Sequence, residues 1–402
     1  MDCYDVIVVG GGIVGLATAR ELALGHGLVP LVVEREERLA AHQSGHNSGV
    51  VHSGLYYRTG SHKARTCVEG RSSLFRYAAA HALAHERCGK VVVALGEAEL
   101  PRLDELERRG RANGLAGVER LDAAGVREHE PHAAGIAGLW VPETGIVDFP
   151  AVARSFAADI VAAGGTVRAG AAVTAIASRN GQVEVRAGDE RFTAPFLVAC
   201  AGLASDRVAR MAGLEPEIRI VPFRGDYLEL AAGARKLVRG LIYPLPDPEL
   251  PFLGVHLTRR VDGSVEAGPN AVLAWRRDGY APGAFSVRDA FATLSFPGFW
   301  RMAGRQAAVA RREYRRAWSR RQFVDALRAL VPELGAEHLR PGGCGVRAQA
   351  VDRDGRLVDD FVFAEGERML HVLNAPSPAA TASMAIAKIL AERVRSSLER
   401  AG

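Results

Sequence analysis

The chain opens on Tyr4-Asp5-Val6-Ile7-Val8-Val9-Gly10-Gly11-Gly12-Ile13-Val14-Gly15-Leu16, an apolar strand that runs straight into Gly-x-Gly-x-x-Gly and a helical pattern. Gly10 permits a tight turn, Gly12 lets the backbone approach a pyrophosphate, and Gly15 allows helix and strand to pack closely. The helix start at Ile13 and Val14 offers N–H groups at the positive end of a dipole. The glycine pattern alone is weak, because Gly-rich turns are common. Here Leu31-Val32-Val33-Glu34 follows at the spacing a dinucleotide-binding βαβ unit requires, with Glu34 placed to accept adenosine ribose hydroxyls. Arg35 either approaches the adenine or stays in solvent.

A chain of 402 residues exceeds one ordinary core, so two interleaved or consecutive domains are expected. Hydrophobic content of 48% with 24% charged residues belongs to a soluble globular protein. No apolar run approaches a membrane span, and a strand starting at Tyr4 leaves no room for a signal peptide. A cytoplasmic location is therefore expected, with peripheral contact at the inner face of the cell membrane as its variant. Cys3, Cys67, Cys88, Cys200 and Cys344 form no Cys-x-x-Cys pair, so neither a metal site nor a disulfide framework is expected, and all five read as buried small residues. The net charge of +5 favours anionic ligands or anionic lipid and is equally compatible with no special partner.

Past Glu34 lies a polar, glycine-rich loop from Ala41 to Gly54, then a helical pattern from Ser61 to about Cys88. Lys90 to Pro142 reads as a strand, a helix over Pro101–Asn113 and loops. Gly145-Ile146-Val147-Asp148 leads into a helix through Ala162. Strand patterns over Val173–Ala177 and Val183–Arg186 flank Asn180-Gly181, a strong hairpin signal. Phe196-Leu197-Val198-Ala199-Cys200-Ala201-Gly202 is a short buried strand ending in a second glycine turn. Ile218 to about Val272 is β-rich with many Gly and Pro turns, which suggests an antiparallel sheet forming a second domain. Phe285 to about Leu330 is helical in composition. A strand around His371-Val372-Leu373 and a helix from about Ala379 close the chain.

A nicotinamide dehydrogenase usually keeps its dinucleotide domain contiguous, whereas this chain visits the site at its start, middle and end, which suits FAD better. Only one complete Gly-x-Gly-x-x-Gly is present, so no second dinucleotide site is evident. Asn374 to Thr381 ends in small residues before a helix. Such a segment either aims N–H groups at the charge of a reduced flavin ring or is an ordinary helix N-terminus. The expected division assigns 1–85, 144–215 and 340–402 to a Rossmann-like FAD-binding domain of α/β class. It assigns 86–143 and 216–339 to an α+β substrate domain with a mainly antiparallel sheet, in which 285–330 is a basic helical segment.

Five segments make a resemblance specific: His42 to Tyr57, Val221-Pro222-Phe223-Arg224-Gly225-Asp226-Tyr227, Gly254-Val255-His256-Leu257-Thr258, Gly345-Val346-Arg347-Ala348-Gln349-Ala350 and Asn374 to Thr381. Together they closely resemble the L-2-hydroxyglutarate dehydrogenase/oxidase family of D-amino-acid-oxidase-like flavoproteins, from about residue 4 to about residue 392. The resemblance implies FAD and oxidation of L-2-hydroxyglutarate to 2-oxoglutarate. It also extends the FAD contacts to Gln43, Ser44, His46, Asn47, Ser48, Gly49, Val173, Ala201, Gly202, Ser205, Gly345, Ser377, Pro378, Ala379, Ala380 and Thr381.

Oxidising a 2-hydroxy acid takes a base for the hydroxyl proton, a clamp for the carboxylate and an acceptor for the Cα hydride. Either His52 or His256 fits the base, because an imidazole titrates near working pH. Arg347 fits the clamp: its planar fork can hold a carboxylate through two bonds, the alternative being an ion pair with Asp352 or Asp354. A five-carbon diacid brings a second carboxylate, for which Tyr57, Lys63, Arg224 and Tyr243 are candidates.

The least family-like stretch is Phe285 to Arg321, in which Arg301, Arg305, Arg311, Arg312, Arg315, Arg316, Arg320 and Arg321 have one acidic residue between them, Glu313. Phe296, Phe299, Trp300, Tyr314 and Trp318 interleave with them. The segment is either an amphipathic helix on anionic lipid, bringing the flavin near a membrane quinone, or a solvated basic face. Nothing accompanies the charge to suggest nucleic acid. The electron acceptor, quinone or oxygen, follows from access to the flavin rather than from a motif. Oxidation of another small hydroxy or amino acid is the neighbouring reading, and a non-catalytic FAD-bound docking module the distant one.

Overall fold

Segments such as Val6-Ile7-Val8-Val9 and Phe196-Leu197-Val198-Ala199, apolar at every position, make strands buried on both faces, and such strands pair in parallel with cover above and below. The computed structural model, which describes residues 3–246, 254–307, 310–311 and 319–401, arranges them so. Its first sheet runs Val362–Gly366, Met369–Asn374, Phe196–Ala199, Val6–Val9, Pro30–Val33, Thr166–Arg168, parallel except for the first pair. Successive side chains alternate between faces. Val6 and Val8 therefore join the core beneath helices Ile13–His26, Phe149–Ala162 and Ser383–Ala401, while Ile7 and Val9 face a three-stranded sheet, Val173–Arg179, Gln182–Ala187 and Glu190–Ala194. Asn180 (φ +51°) and Gly181 (φ +74°) close the expected hairpin in the left-handed conformations that a type I′ turn demands.

The second sheet runs Val272–Leu273, Ile218–Leu230, Val265–Gly268, His256–Arg259, Leu241–Pro244, Val91–Ala94, Ala137–Trp140, Glu119–Asp122. It is antiparallel except where Leu241–Pro244 meets Val91–Ala94. Strand Leu339–Asp352 lies along Ile218–Leu230, with Arg347 opposite Phe223 and Gly345 opposite Gly225. That strand spans the boundary expected at 340 and pairs on the second-sheet side of it.

Several expectations are corrected. The helix expected to reach Cys88 ends at Ala80, and 90–142 holds two further strands and the helix Ala123–His129 where loops were read. Glu119-Arg120-Leu121-Asp122 carries little strand propensity of its own and is ordered by pairing with Ala137–Trp140. The helical run from Phe285 is broken: Val287–Leu294 ends, and Pro297, which cannot continue a helix but readily begins one, starts Pro297–Arg305. The last helix begins at Ser383 rather than Ala379, after a turn in which Pro376 and Pro378 accept from the N–H groups of Ala379 and Ala382. Cys67 and Cys200 are buried as expected, but Cys88 and Cys344 are only half-buried and Cys3 is exposed. Arg312, Glu313, Tyr314, Arg315, Arg316 and Trp318 lie outside the described residues.

One buried clasp joins the two sheets. Arg277 donates to Asp206 at 2.5 and 2.9 Å, to the Leu203 carbonyl at 2.8 Å and to the Ile220 carbonyl at 2.9 Å. Burial opposes ionisation of Asp206, yet the bonds from Arg277 hold its carboxyl below the ordinary carboxylate range.

Candidate functional site

The glycine turn is built as its spacing predicts. Gly10 has φ +114°, and a Cβ there would lie 2.5 Å from the Cys200 carbonyl oxygen; one on Gly15 would lie 2.0 Å from that of Gly10. Gly12 differs, because a Cβ there meets only Ser44 Oγ, at 3.3 Å. Two glycines are thus closed in by chain while the third presents bare backbone, the cradle a pyrophosphate needs, and the residues present fit FAD. Ser44 Oγ accepts from Ile13 N–H at 2.9 Å, and Glu34 accepts from Gly11 N–H at 2.6 Å and Glu36 N–H at 2.9 Å.

The polar loop after Glu34 is shaped by its own side chains. Asn47 donates to the carbonyls of Gln43 and Ser44 and accepts from Gly49 N–H, an arrangement that folds the segment upon itself. His46 stacks on Tyr280 with centroids 3.8 Å apart and bonds Cys344 O through Nδ1 at 3.0 Å. Arg35 is exposed and paired with Glu36 and Asp278. Gln43 Oε1 sits 3.0 Å from where a Gly202 Cβ would be, so this loop meets the second glycine turn, at Ala201-Gly202. Ser205 instead turns inward and donates to Leu373 O at 2.7 Å, and Val173 opens the three-stranded sheet opposite Ala187.

His52 stands on the next turn of this loop. Its N–H donates to Thr381 Oγ1 at 3.0 Å, Cys67 Sγ donates to its carbonyl at 3.3 Å, and Arg71 donates to the Ser53 carbonyl at 2.9 Å. The segment that ends the chain's polar loop is thereby tied both to helix His62–Ala80 and to the turn Ser377–Thr381. Burial first, then the positive charge of Lys90 and the neighbouring His256 and Lys63, push the His52 imidazole down to about 3. It is neutral near pH 7.

From the second sheet come His256, Tyr243 and Arg347. His256 Nδ1 lies 2.8 Å from the Gly254 carbonyl, which can only accept, so Nδ1 carries the proton and Nε2 keeps its lone pair. Burial is the main force lowering this imidazole to about 4, with the charges of Arg347 and Lys90 adding to it. Tyr243 stacks on the ring at 4.1 Å. Arg347 lies near enough for its charge to act on both His256 and Tyr227, while Asp354 lies by Arg301 and Arg356 and Asp352 accepts from Arg356 N–H.

Other candidates have protein partners. Lys63 Nζ bonds Asp359 at 2.9 Å and lies 5.1 Å from the Tyr57 ring centroid. Arg224 pairs with Asp226 at 2.9 Å and donates to the Ala281 carbonyl. Sequence reasoning passed over Lys90, a fully buried ammonium facing Tyr56 and Tyr243. Its signal was a lone lysine opening the apolar run Val91-Val92-Val93-Ala94. It also passed over Tyr280, which lies over the His42–His46 loop in a stretch of no periodicity.

Residues 5–393 match the model of the FAD dependent oxidoreductase family. The chain is 44% identical to the L-2-hydroxyglutarate dehydrogenase of Indibacter alkaliphilus, over 97% of this chain and 98% of that protein. It is 45% identical to the mitochondrial L-2-hydroxyglutarate dehydrogenase of Nematostella vectensis, over 97% of this chain and 90% of that one. Among solved structures, the FAD-bound L-alpha-glycerophosphate oxidase of Mycoplasma pneumoniae superposes with a TM-score of 0.79 at 21% identity, covering 98% of this chain and 95% of that one. That likeness is one of fold. With the glycine cradle and Glu34 in place and relatives this similar along almost the whole length, the chain belongs to the FAD-dependent oxidoreductases and, among them, to the L-2-hydroxyglutarate dehydrogenase family.

Proposed function

We propose that this chain oxidises L-2-hydroxyglutarate to 2-oxoglutarate, with Arg347 holding the carboxylate next to the hydroxyl carbon and His256 taking the hydroxyl proton. The reading is carried by the His256 ring: its Nδ1–H is engaged by Gly254, so a neutral Nε2 lone pair stands ready beside the Arg347 charge. Bound FAD supplies a two-electron acceptor for the hydride leaving Cα. Gly10, Gly12, Ile13, Val14, Gly15 and Glu34 would hold its adenosine diphosphate portion, and the loop Gln43–Gly49, Ala201-Gly202, Gly345 and the turn Ser377–Thr381 would hold the remainder. Arg347 orients the substrate so that the Cα hydrogen is directed at the acceptor while the hydroxyl meets the imidazole.

Anaerobic mixing tests this. L-2-Hydroxyglutarate is expected to bleach the flavin faster than glycine, sarcosine or glycerol 3-phosphate, and the reverse ranking removes the reading. His256→Asn lowers the bleaching rate by about 10²- to 10⁴-fold with FAD retained. If His52→Asn carries that loss instead, the base is His52.

The electron acceptor is a membrane quinone in this reading. Phe285, Val287, Phe291 and Trp300 are exposed, next to Arg288 and Arg301, an apolar face with basic flanks suited to anionic lipid. Among the described residues no helix is long and apolar enough to cross a membrane. Flotation with phosphatidylglycerol vesicles, lost in a Val287→Ser/Phe291→Ser double variant, is the expected result. Absence of flotation with rapid turnover on oxygen points to the oxidase instead.

A further inference from the structure

Lys90 is 1% exposed, and among the described residues no carboxylate lies within salt-bridge distance of it. Among the described residues, the groups lying against it or acting on it are aromatic rings, a thiol and imidazoles. Nζ lies 4.3 Å from the Tyr56 ring centroid and 5.0 Å from that of Tyr243, the ring on which His256 stacks. Helix His62–Ala80 contributes the Cys67 thiol, which burial pushes up to about 12, and the loop contributes His52. The Tyr56 hydroxyl is itself buried and, among the described residues, without a hydrogen-bond partner.

An ammonium in such a place is costly unless an anion joins it. Two π-faces relieve only part of that cost. Burial lowers the Lys90 ammonium to about 7, so the ligand-free site gives up the proton far more readily than an ordinary lysine does. Two cations that share the Cys67 surroundings with Lys90 are already engaged, Lys63 by Asp359 and Arg71 by the Ser53 carbonyl.

We infer that Lys90, with the Tyr56 hydroxyl beside it, receives the second carboxylate of the substrate and so selects dicarboxylic over monocarboxylic hydroxy acids. This rests on the reading that Arg347 takes the carboxylate next to the reacting carbon. The incoming anion supplies a countercharge that no described residue provides, and the phenol gains an acceptor. Lys90 is then a specificity-determining residue, and a substrate lacking the distal carboxylate leaves its ammonium uncompensated.

The test uses the FAD-loaded enzyme with two unreactive probes, glutarate and butyrate, followed by perturbation of the flavin spectrum. Wild type is expected to bind glutarate the more tightly. Lys90→Met and Lys90→Gln are expected to raise the glutarate Kd on the order of a hundredfold while leaving butyrate within about threefold. Equal weakening of both probes, or no change in either, overturns the inference. Wild type offers a separate readout: glutarate binding at pH 8 takes up close to one proton, measured by calorimetry in two buffers of different ionisation enthalpy. His52 and His256 stay neutral at that pH, as do Cys67, Tyr56 and Tyr243, whose burial raises them. Binding without proton uptake overturns the inference as well. Lys90-dependent glutarate binding by an enzyme that oxidises no hydroxy acid would keep the inference and remove the catalytic reading.

Discussion

Two buried cations in this molecule have been treated in opposite ways. Arg277, 5% exposed, is surrounded by the Asp206 carboxylate and two backbone carbonyls. Lys90 meets aromatic faces, a thiol and imidazoles, with no carboxylate at hand among the described residues. A charge whose partners come from the same chain holds two sheets together and is finished when folding is finished. A charge without such partners makes folding less favourable and keeps its strongest interaction for something that arrives later. The contrast separates a structural ion pair from a binding group more sharply than burial does, since burial is nearly the same for both.

The contrast breaks most visibly at Asp206. Asp206→Ala leaves the Arg277 guanidinium buried beside carbonyls alone and should cost about 3–5 kcal/mol of stability, read as a lowered urea midpoint. The preference for glutarate over butyrate should persist in whatever folded protein remains. Loss of that preference with unchanged stability would mean that the clasp belongs to the site.

The pH dependence of stability sharpens the other side. The folded protein lowers Lys90 from 10.5 to about 7, so between those values the unfolded chain binds the additional proton and stability rises with pH. Below about pH 7 both states are protonated and this contribution is flat. Relative to Lys90→Met, the ligand-free holoenzyme should therefore gain roughly 1 kcal/mol per pH unit from pH 7.5 to 9.5. Identical slopes in the two proteins would show that Lys90 keeps an ordinary ammonium. Saturating glutarate should flatten the wild-type slope, since the bound carboxylate holds the proton in place.

What could be read in advance follows the range over which each residue is determined. The glycine turn, Glu34 and the Asn180-Gly181 hairpin are dictated by local backbone geometry, and each is found where its spacing puts it. The apolar runs at Val6–Val9 and Phe196–Ala199 were legible as buried strands, and both lie side by side in the first sheet. Glu119–Asp122 was not legible, because its order comes from a partner strand nearly twenty residues along rather than from its own composition. In the site, His52, His256 and Arg347 could be named from short motifs. Lys90 could not be ranked, because what sets it apart is that no described carboxylate stands beside it in three dimensions. Lys63 and Arg224 looked equally suitable until their contacts with Asp359 and Asp226 were seen.

Thr381 receives the N–H of His52, and the closing helix Ser383–Ala401 lies in one apolar core with Ile13–His26. Two segments far apart in sequence thus close one core, and such contacts form only after the chain between them has been gathered. Leu16 and Leu22 share this core with Ile386, Leu390 and Val394, so shortening the late helix uncovers apolar side chains of the nucleotide-binding unit instead of trimming an independent tail.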